Sequence, residues 1–259
     1  MGKIIALFNQ SGGVGKTTLT MNAGYQLAAL GHRVLLVDMD PQSSLTVFMG
    51  LHPFKIPKTV YDAIVREEEL PIHHNIHDLD LAPSNIILSK AEMELASAIR
   101  REDRLIAALE AHQDAYDFIL VDCPPSLGIL SIMCLVAATH LLIPIQTEYK
   151  AVEGTMLLLN TILETVQKAN RKLKIAGIVP TMYDGRTSQG VKTLEYIQQT
   201  FTKLRQHKIF ADAEVYPAIP RRTDFADASK AHQPLAVYAP RQSALKQLNH
   251  LTQSLEALS

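Results

Sequence analysis

Net charge is almost absent from this 259-residue chain: 25 lysines and arginines face 26 aspartates and glutamates. No global cationic field exists to draw in nucleic acid, so any such contact must come from a local basic patch. Cysteine is scarce too. Cys123 and Cys134 lack metal-type spacing and read as reduced, buried small residues of a cytosolic protein. No apolar run approaches the ~20 residues needed to span a bilayer. The N-terminus runs straight into an apolar stretch, with no signal or transit segment, which predicts a cytoplasmic protein. Repeats, low-complexity runs and interdomain linkers are missing, and the length suits one large core, so one domain over 1–259 is expected.

What is present begins with FNQSGGVGKTT, Phe8 to Thr18. An apolar run from Ile4 to Phe8 predicts a buried strand before it, and a helical pattern follows from Thr17 to Leu30. Strand, glycine-rich turn and helix are the context of a phosphate loop. Gly12, Gly13 and Gly15 let backbone N–H groups approach phosphate oxygens where a Cβ would intrude. The opening helix adds unpaired N–H groups and the positive end of its dipole. Lys16 sets a charge by the β- and γ-phosphates, and Thr17 offers a hydroxyl to Mg²⁺. Ser11, Gly12, Gly13, Val14, Gly15, Lys16, Thr17 and Thr18 are therefore the candidate nucleotide ligands.

Further along, strand and helix patterns alternate. They predict an α/β fold, a mostly parallel twisted sheet with helices on both faces. Gly31 is placed to cap the first helix. Arg33 to Val37 reads as a doubly buried strand ending in Asp38-Met39-Asp40, where open α/β sheets bind ligands. A short helix is expected from Thr59 to Arg66. His73, His74 and His77 read as solvated loop residues, since no cysteine or carboxylate framework accompanies them. Leu79 to Ala82 is a weak strand, and Ser89-Lys90-Ala91-Glu92 fits a capping box opening a long helix toward His112. Asp117 to Val121 delivers Asp122, the arrangement in which a carboxylate supports Mg²⁺. Strands follow at His140 to Ile145 and Lys174 to Val179, and an edge strand at Val215 to Ile219 around Pro217. Helices are expected to about Asn170, from Ser188 to His207, from Thr223 to His232 and from Pro240 to Leu258.

Asn9-Gln10 before the GGVGKTT core, where the general pattern has glycine at Gln10, resembles the deviant Walker A loops of the ParA/MinD family, of the P-loop NTPase fold. DMDPQ at Asp38 to Gln42, DCPPS at Asp122 to Ser126, EYKAVEG at Glu148 to Gly154 and the IPR near Ile219 extend the resemblance over nearly the whole chain. It implies an ATPase using ATP and Mg²⁺ that forms an ATP-bound sandwich homodimer and binds nucleoid DNA without sequence preference. A cargo-borne adaptor stimulates hydrolysis. The family's loop lysine is replaced here by Ser11, and Lys150 stands where the family is rarely basic. That pair is similar to the McdA subgroup, which positions carboxysomes with the adaptor McdB.

By that resemblance, Lys16, Asp38, Asp40 and Lys150 are catalytic candidates. Asp38 and Asp40 belong to a switch ordering attacking and metal-bound water; Asp40 is the better candidate for the former and Asp38 for the metal shell. Thr17, Asp38 and Asp122 are the metal candidates, and Thr18 reaches the α-phosphate. Thr181, Met182, Pro220 and Arg221 are placed at the adenine. Lys192, Lys203, Arg205, Lys208, Arg222, Arg241 and Lys246 are candidate DNA contacts by charge. Two alternatives stay open. A MinD-like membrane-cycling ATPase would need a basic amphipathic C-terminal helix, and residues 248–259 carry no lysine or arginine, so no stable membrane association is expected. A small-molecule P-loop ligase or kinase would need a second substrate pocket.

Overall fold

The computed structural model describes residues 2–148, 154, 159, 170–206 and 208–258. The central strands are β1 (Lys3–Leu7), β2 (Val34–Asp38) and β5 (Phe118–Asp122). Their apolar runs are continuous because both faces are covered. Along β1, Ile4 and Ala6 enter one core while Ile5 and Leu7 enter the other, the strand's two-residue alternation dividing one run between two layers. With β3 (His73–Ile76), β4 (Leu79–Ala82), β6 (His140–Gln146), β7 (Lys174–Thr181) and β8 (Glu214–Val215), they form a sheet ordered β3-β4-β2-β5-β1-β6-β7-β8. All neighbours are parallel except β3 and β4.

One face is covered by α1 (Lys16–Ala29) and, nearer the C-terminus, by a helix over Leu245–Glu256. Gly31, at φ 95°, closes α1: its N–H reaches the Ala28 carbonyl and that of His32 the Leu27 carbonyl. Between them in the chain come α2 (Ser44–Phe48), α3 (Val60–Arg66), α4 (Ala91–Glu94), α5 (Arg104–Glu110), α6 (Ile129–Ala137), α7 (Ser188–Leu204), α8 (Asp224–Lys230) and α9 (Leu235–Tyr238), so the Leu245–Glu256 helix is α10. The opposite face carries Leu105 of α5, Leu130 of α6 and Ile197 and Phe201 of α7. Thr59 caps α3 in a capping box with Asp62. No helix among the described residues is long and apolar enough to cross a membrane.

Several expectations change. The long helix from Ser89 is broken. A 3-10 turn over Ile86–Lys90, capped by Asn85 rather than Ser89, leads into α4, and the chain turns at Arg100 (φ 52°) before α5. Continuing the buried stripe Leu88, Ala91, Leu95 would carry Glu102 into the core; the turn leaves Ile99 exposed instead. His73 and His74 lie not in a loop but in β3, paired antiparallel to β4 through a tight turn. His77 and Asp78 hold that turn at φ 54° and 61°, conformations usually left to Asn or Gly. The final strand shrinks to Glu214–Val215, because Pro217 cannot donate to a ladder. The helix expected up to Asn170 lies mostly outside the described residues.

Candidate active site at the strand ends

The phosphate loop leaves β1 at the same end of the sheet where β2, β5 and β7 deliver Asp38, Asp122 and Thr181. Gly13 and Gly15 take φ 73° and 92°, which a β-carbon would strain, and a Cβ at Gly12 or Gly13 would meet no atom within 4 Å. The loop is thus an open cradle. No side chain caps α1, so its first-turn N–H groups face that cradle without a side-chain acceptor. Asn9 braces the entrance, donating from Nδ2 to the Pro144 carbonyl (2.6 Å) and accepting from the Ser11 N–H. Thr181 donates to the Val14 carbonyl at 2.9 Å, fastening β7 to the loop.

Lys16 is buried, and its Nζ donates to the carbonyls of Asn9 (2.9 Å) and Ser11 (3.0 Å). Burial pulls its ammonium below the ordinary value, opposed by the charge of Asp122 and more weakly by Cys123 and Asp40. Thr17 Oγ1 donates to Asp122 Oδ2 at 2.6 Å. The other carboxylate oxygen, Oδ1, is buried with no hydrogen-bond partner. Burial first, then the nearby Asp38 charge, pushes the Asp122 carboxyl well above the usual carboxylate range. An orphaned carboxylate oxygen beside a threonine hydroxyl at the first turn of α1 is a donor set that fits Mg²⁺ and its water.

Asp38 is fully buried, and burial pushes its carboxyl up to about 7 despite three donors: Thr46 N–H (2.8 Å), Thr46 Oγ1 (2.7 Å) and Asp40 N–H (3.1 Å). Asp40 is half-buried, and its Oδ1 accepts from the Gln42 N–H. Burial also raises its carboxyl, against the Gln42 bond and the Lys16 charge.

A cavity of about 720 Å³ opens beside Gly15 and Thr18, and Thr181, Met182, Pro220 and Arg221 all line it. Four positions distant in sequence therefore meet at one pocket. Met182 holds φ 52°, and the Tyr183 N–H and C=O pair with Ile219 and Arg221 to bring the two segments together. Sequence reasoning missed Val47, Phe48, Phe225 and His232 on the same walls. They come from α2, α8 and the turn after α8, and no local motif marks them.

Lys150 lies outside the described residues. The candidate DNA contacts are divided. Lys192, Lys203 and Arg205 are exposed on or just after α7, Lys246 is exposed on α10 across the sheet, and Arg222 and Arg241 are exposed in loops. Lys208 opens a 3-10 turn over Lys208–Phe210. The histidines form no metal site: among the described residues no group of three or more ligating side chains meets. His74 pairs with Asp80, and His77 Nε2 with the His232 carbonyl.

A glycine loop between strand and helix, with carboxylates at the ends of neighbouring parallel strands, defines a P-loop nucleotide-binding domain. An AAA domain family profile matches residues 2–175. The chain is 41% identical over 244 residues to the sporulation initiation inhibitor protein Soj of Bacillus subtilis, covering 93% of each. Among solved structures it is similar to cobyrinic acid a,c-diamide synthase of Mycobacterium smegmatis with bound ADP and magnesium (34% identity, TM-score 0.78, 90% of this chain and 91% of that one). It also shares the fold of apo McdA from Cyanothece (24% identity, TM-score 0.84, 98% of this chain and 100% of that one). The chain belongs to the AAA domain family and, within it, to the ParA/MinD-type ATPases.

Proposed function

We propose that this chain binds ATP with Mg²⁺, closes into an ATP-dependent homodimer, holds nucleoid DNA without sequence preference, and positions a cargo through an adaptor that stimulates hydrolysis. The observation that carries the nucleotide part is the unpartnered, buried Asp122 Oδ1 beside the Thr17 hydroxyl at the open glycine cradle. Mg²⁺ held there by Thr17 and, through water, by Asp122 would supply charge against the phosphates. Ser11 to Thr18 cradle the phosphates, and Lys16 turns from the loop carbonyls toward them. The cavity at Thr181, Met182, Pro220 and Arg221 takes the base. Asp40, less engaged than Asp38, orients the attacking water, while Asp38 holds the switch in shape.

The cargo reading is carboxysomes through McdB, and it rests on the pairing of Ser11 with Lys150. The higher identity to Soj favours a broader ParA role if Lys150 proves idle. The membrane-cycling reading is disfavoured because the apolar stripe of α10, Leu248, Leu251 and Leu255, is already buried against the face formed by α1. A ligase reading draws on the synthase resemblance. It is disfavoured because a second cavity of substrate size, about 770 Å³ beside Gly2, Ile4 and Thr139, lies at the far end of the strands from the phosphate loop. Co-sedimentation with plasmid DNA and with anionic liposomes, each with and without ATP, tests all three. ATP-dependent pelleting with DNA alone is expected; pelleting with liposomes, or with neither, would overturn the reading.

A further inference from the structure

Asp40 sits in a closed ring of hydrogen bonds, two of them buried and two part-buried. Its N–H donates to Asp38 Oδ1 (3.1 Å), and Asp38 Oδ2 accepts from the Thr46 hydroxyl (2.7 Å). The same hydroxyl oxygen accepts from the Ser84 N–H (2.9 Å), and Ser84 Oγ donates back to the Asp40 carbonyl (2.8 Å). That carbonyl also accepts from the Ser43 N–H at 2.9 Å, across a turn in which Ser43 takes φ 58°. Asp38, Thr46 and Ser84 are each fully shielded from solvent. Three elements therefore meet at one backbone unit: the end of β2, the first turns of α2 and the segment leaving β4.

Buried polar groups with every partner in place are stiff, and each bond is strengthened by the low local dielectric. The Asp40 peptide is gripped on both sides while its carboxylate remains at the half-exposed edge of the site. A water-orienting carboxylate needs that kind of fixed base, since an ångström of misplacement can cost a hundredfold in rate. Asp38 cannot do this alone. Thr46 both satisfies Asp38 and joins it to Ser84.

We propose that Thr46 and Ser84 are positioning residues for ATP hydrolysis, acting through Asp40 rather than on the nucleotide. The proposal rests on the reading of Asp40 as the residue that orients water. Thr46→Val keeps the shape but strands the Ser84 N–H and removes one bond from Asp38. Ser84→Ala keeps the fold's packing and frees the Asp40 carbonyl from one donor.

The test is steady-state ATP hydrolysis by the full chain with Mg²⁺. It covers wild type, Asp40→Ala, Thr46→Val, Thr46→Ser, Ser84→Ala and the Asp40→Ala/Thr46→Val double variant. Thr46→Val and Ser84→Ala should lower kcat roughly tenfold or more with KM within about twofold of wild type. Thr46→Ser, which keeps the hydroxyl, should restore kcat to within about twofold. The double variant should be no slower than Asp40→Ala alone, because the threonine acts only through the aspartate. If Thr46→Val does not fold, Ser84→Ala decides. A slow Asp40→Ala beside unchanged kcat in Ser84→Ala and Thr46→Val overturns the ring while leaving the Asp40 reading intact. A raised KM with normal kcat, or an additive double variant, also overturns it as a merely structural effect. Rapid turnover by Asp40→Ala removes the Asp40 reading and the ring together.

Discussion

At the scale of single residues, Lys16 has the largest expected consequence. Its ammonium is buried, already bonded to two carbonyls of its own loop, and lies in the field of Asp122 and Asp40. Charged hydrogen bonds contribute about 1.5–3 kcal/mol each, so Lys16→Ala should weaken ATP binding by on the order of 100-fold or more. Calorimetric titration reads this directly, and wild-type affinity would count against the loop assignment. Asp38 makes a pH prediction. An acid whose pKa is higher folded than unfolded binds more protons in the folded state between the two values, so raising pH through that window lowers stability. Burial moves Asp38 from 3.8 to about 7, and Asp40 and Asp122 shift the same way. The nucleotide-free protein should therefore be less stable at pH 7 than at pH 5, by on the order of 2 kcal/mol from Asp38 alone. Urea midpoints at the two pH values measure it; stability that does not fall between them would show Asp38 ionised as an ordinary carboxylate. The loop glycines, Lys16 and Thr17 were legible in sequence because a strand-to-helix phosphate turn is a local pattern, and Asp122 because an apolar strand ends on it. Thr46, Ser84 and Phe225 were not, since no local motif marks them: Ser84 meets Thr46 across 38 residues, and Phe225 shares a cavity wall with Gly15 and Thr18.

At the scale of elements, the parallel strands were legible for the reason they are stable: double burial demands unbroken apolar runs. The β3–β4 hairpin was hidden because His77 and Asp78, not Asn-Gly, occupy its left-handed turn. The broken helix after Ser89 was hidden because its first turns carry a convincing apolar stripe that fails only at Glu102. α10 offers the clearest test at this scale. Leu251 is fully buried between α10 and the sheet face bearing α1, and Thr252 hydrogen-bonds the Gln26 side chain of that helix. Leu251→Ala should cost about 2–5 kcal/mol. A matching fall in thermal midpoint is expected, with no gain in liposome binding. Release of α10 onto vesicles with little loss of stability would revive the membrane-cycling alternative.

At the scale of the whole molecule, two bound triphosphates brought face to face accumulate negative charge that must be offset. With Ser11 in the loop, Lys150 is the proposed source of that charge, reaching the partner's nucleotide. Lys150→Ala should reduce ATP-dependent dimerisation and DNA retention at least tenfold while monomer nucleotide binding changes little, and Ser11→Lys in that background should recover part of the loss. Sedimentation with ATP measures the first and filter binding the second. An unaltered dimer would remove both Lys150 and the carboxysome reading that depends on it. DNA affinity should also fall steeply with salt, because phosphate contacts release counterions.

The two margins of the sheet bear on crowding. β8 offers two residues before Pro217 ends it, and β3 offers four, with an irregular register against β4. A neighbouring chain finds almost no ladder to extend at either margin. Copies gathered densely on one surface can then meet through their strand ends but cannot zip into a continuous ribbon. The protein is thus suited to local abundance without polymerisation. Light scattering with ATP should level off at the mass of two chains as concentration rises; a mass that keeps climbing would mean the margins are not the barrier they look.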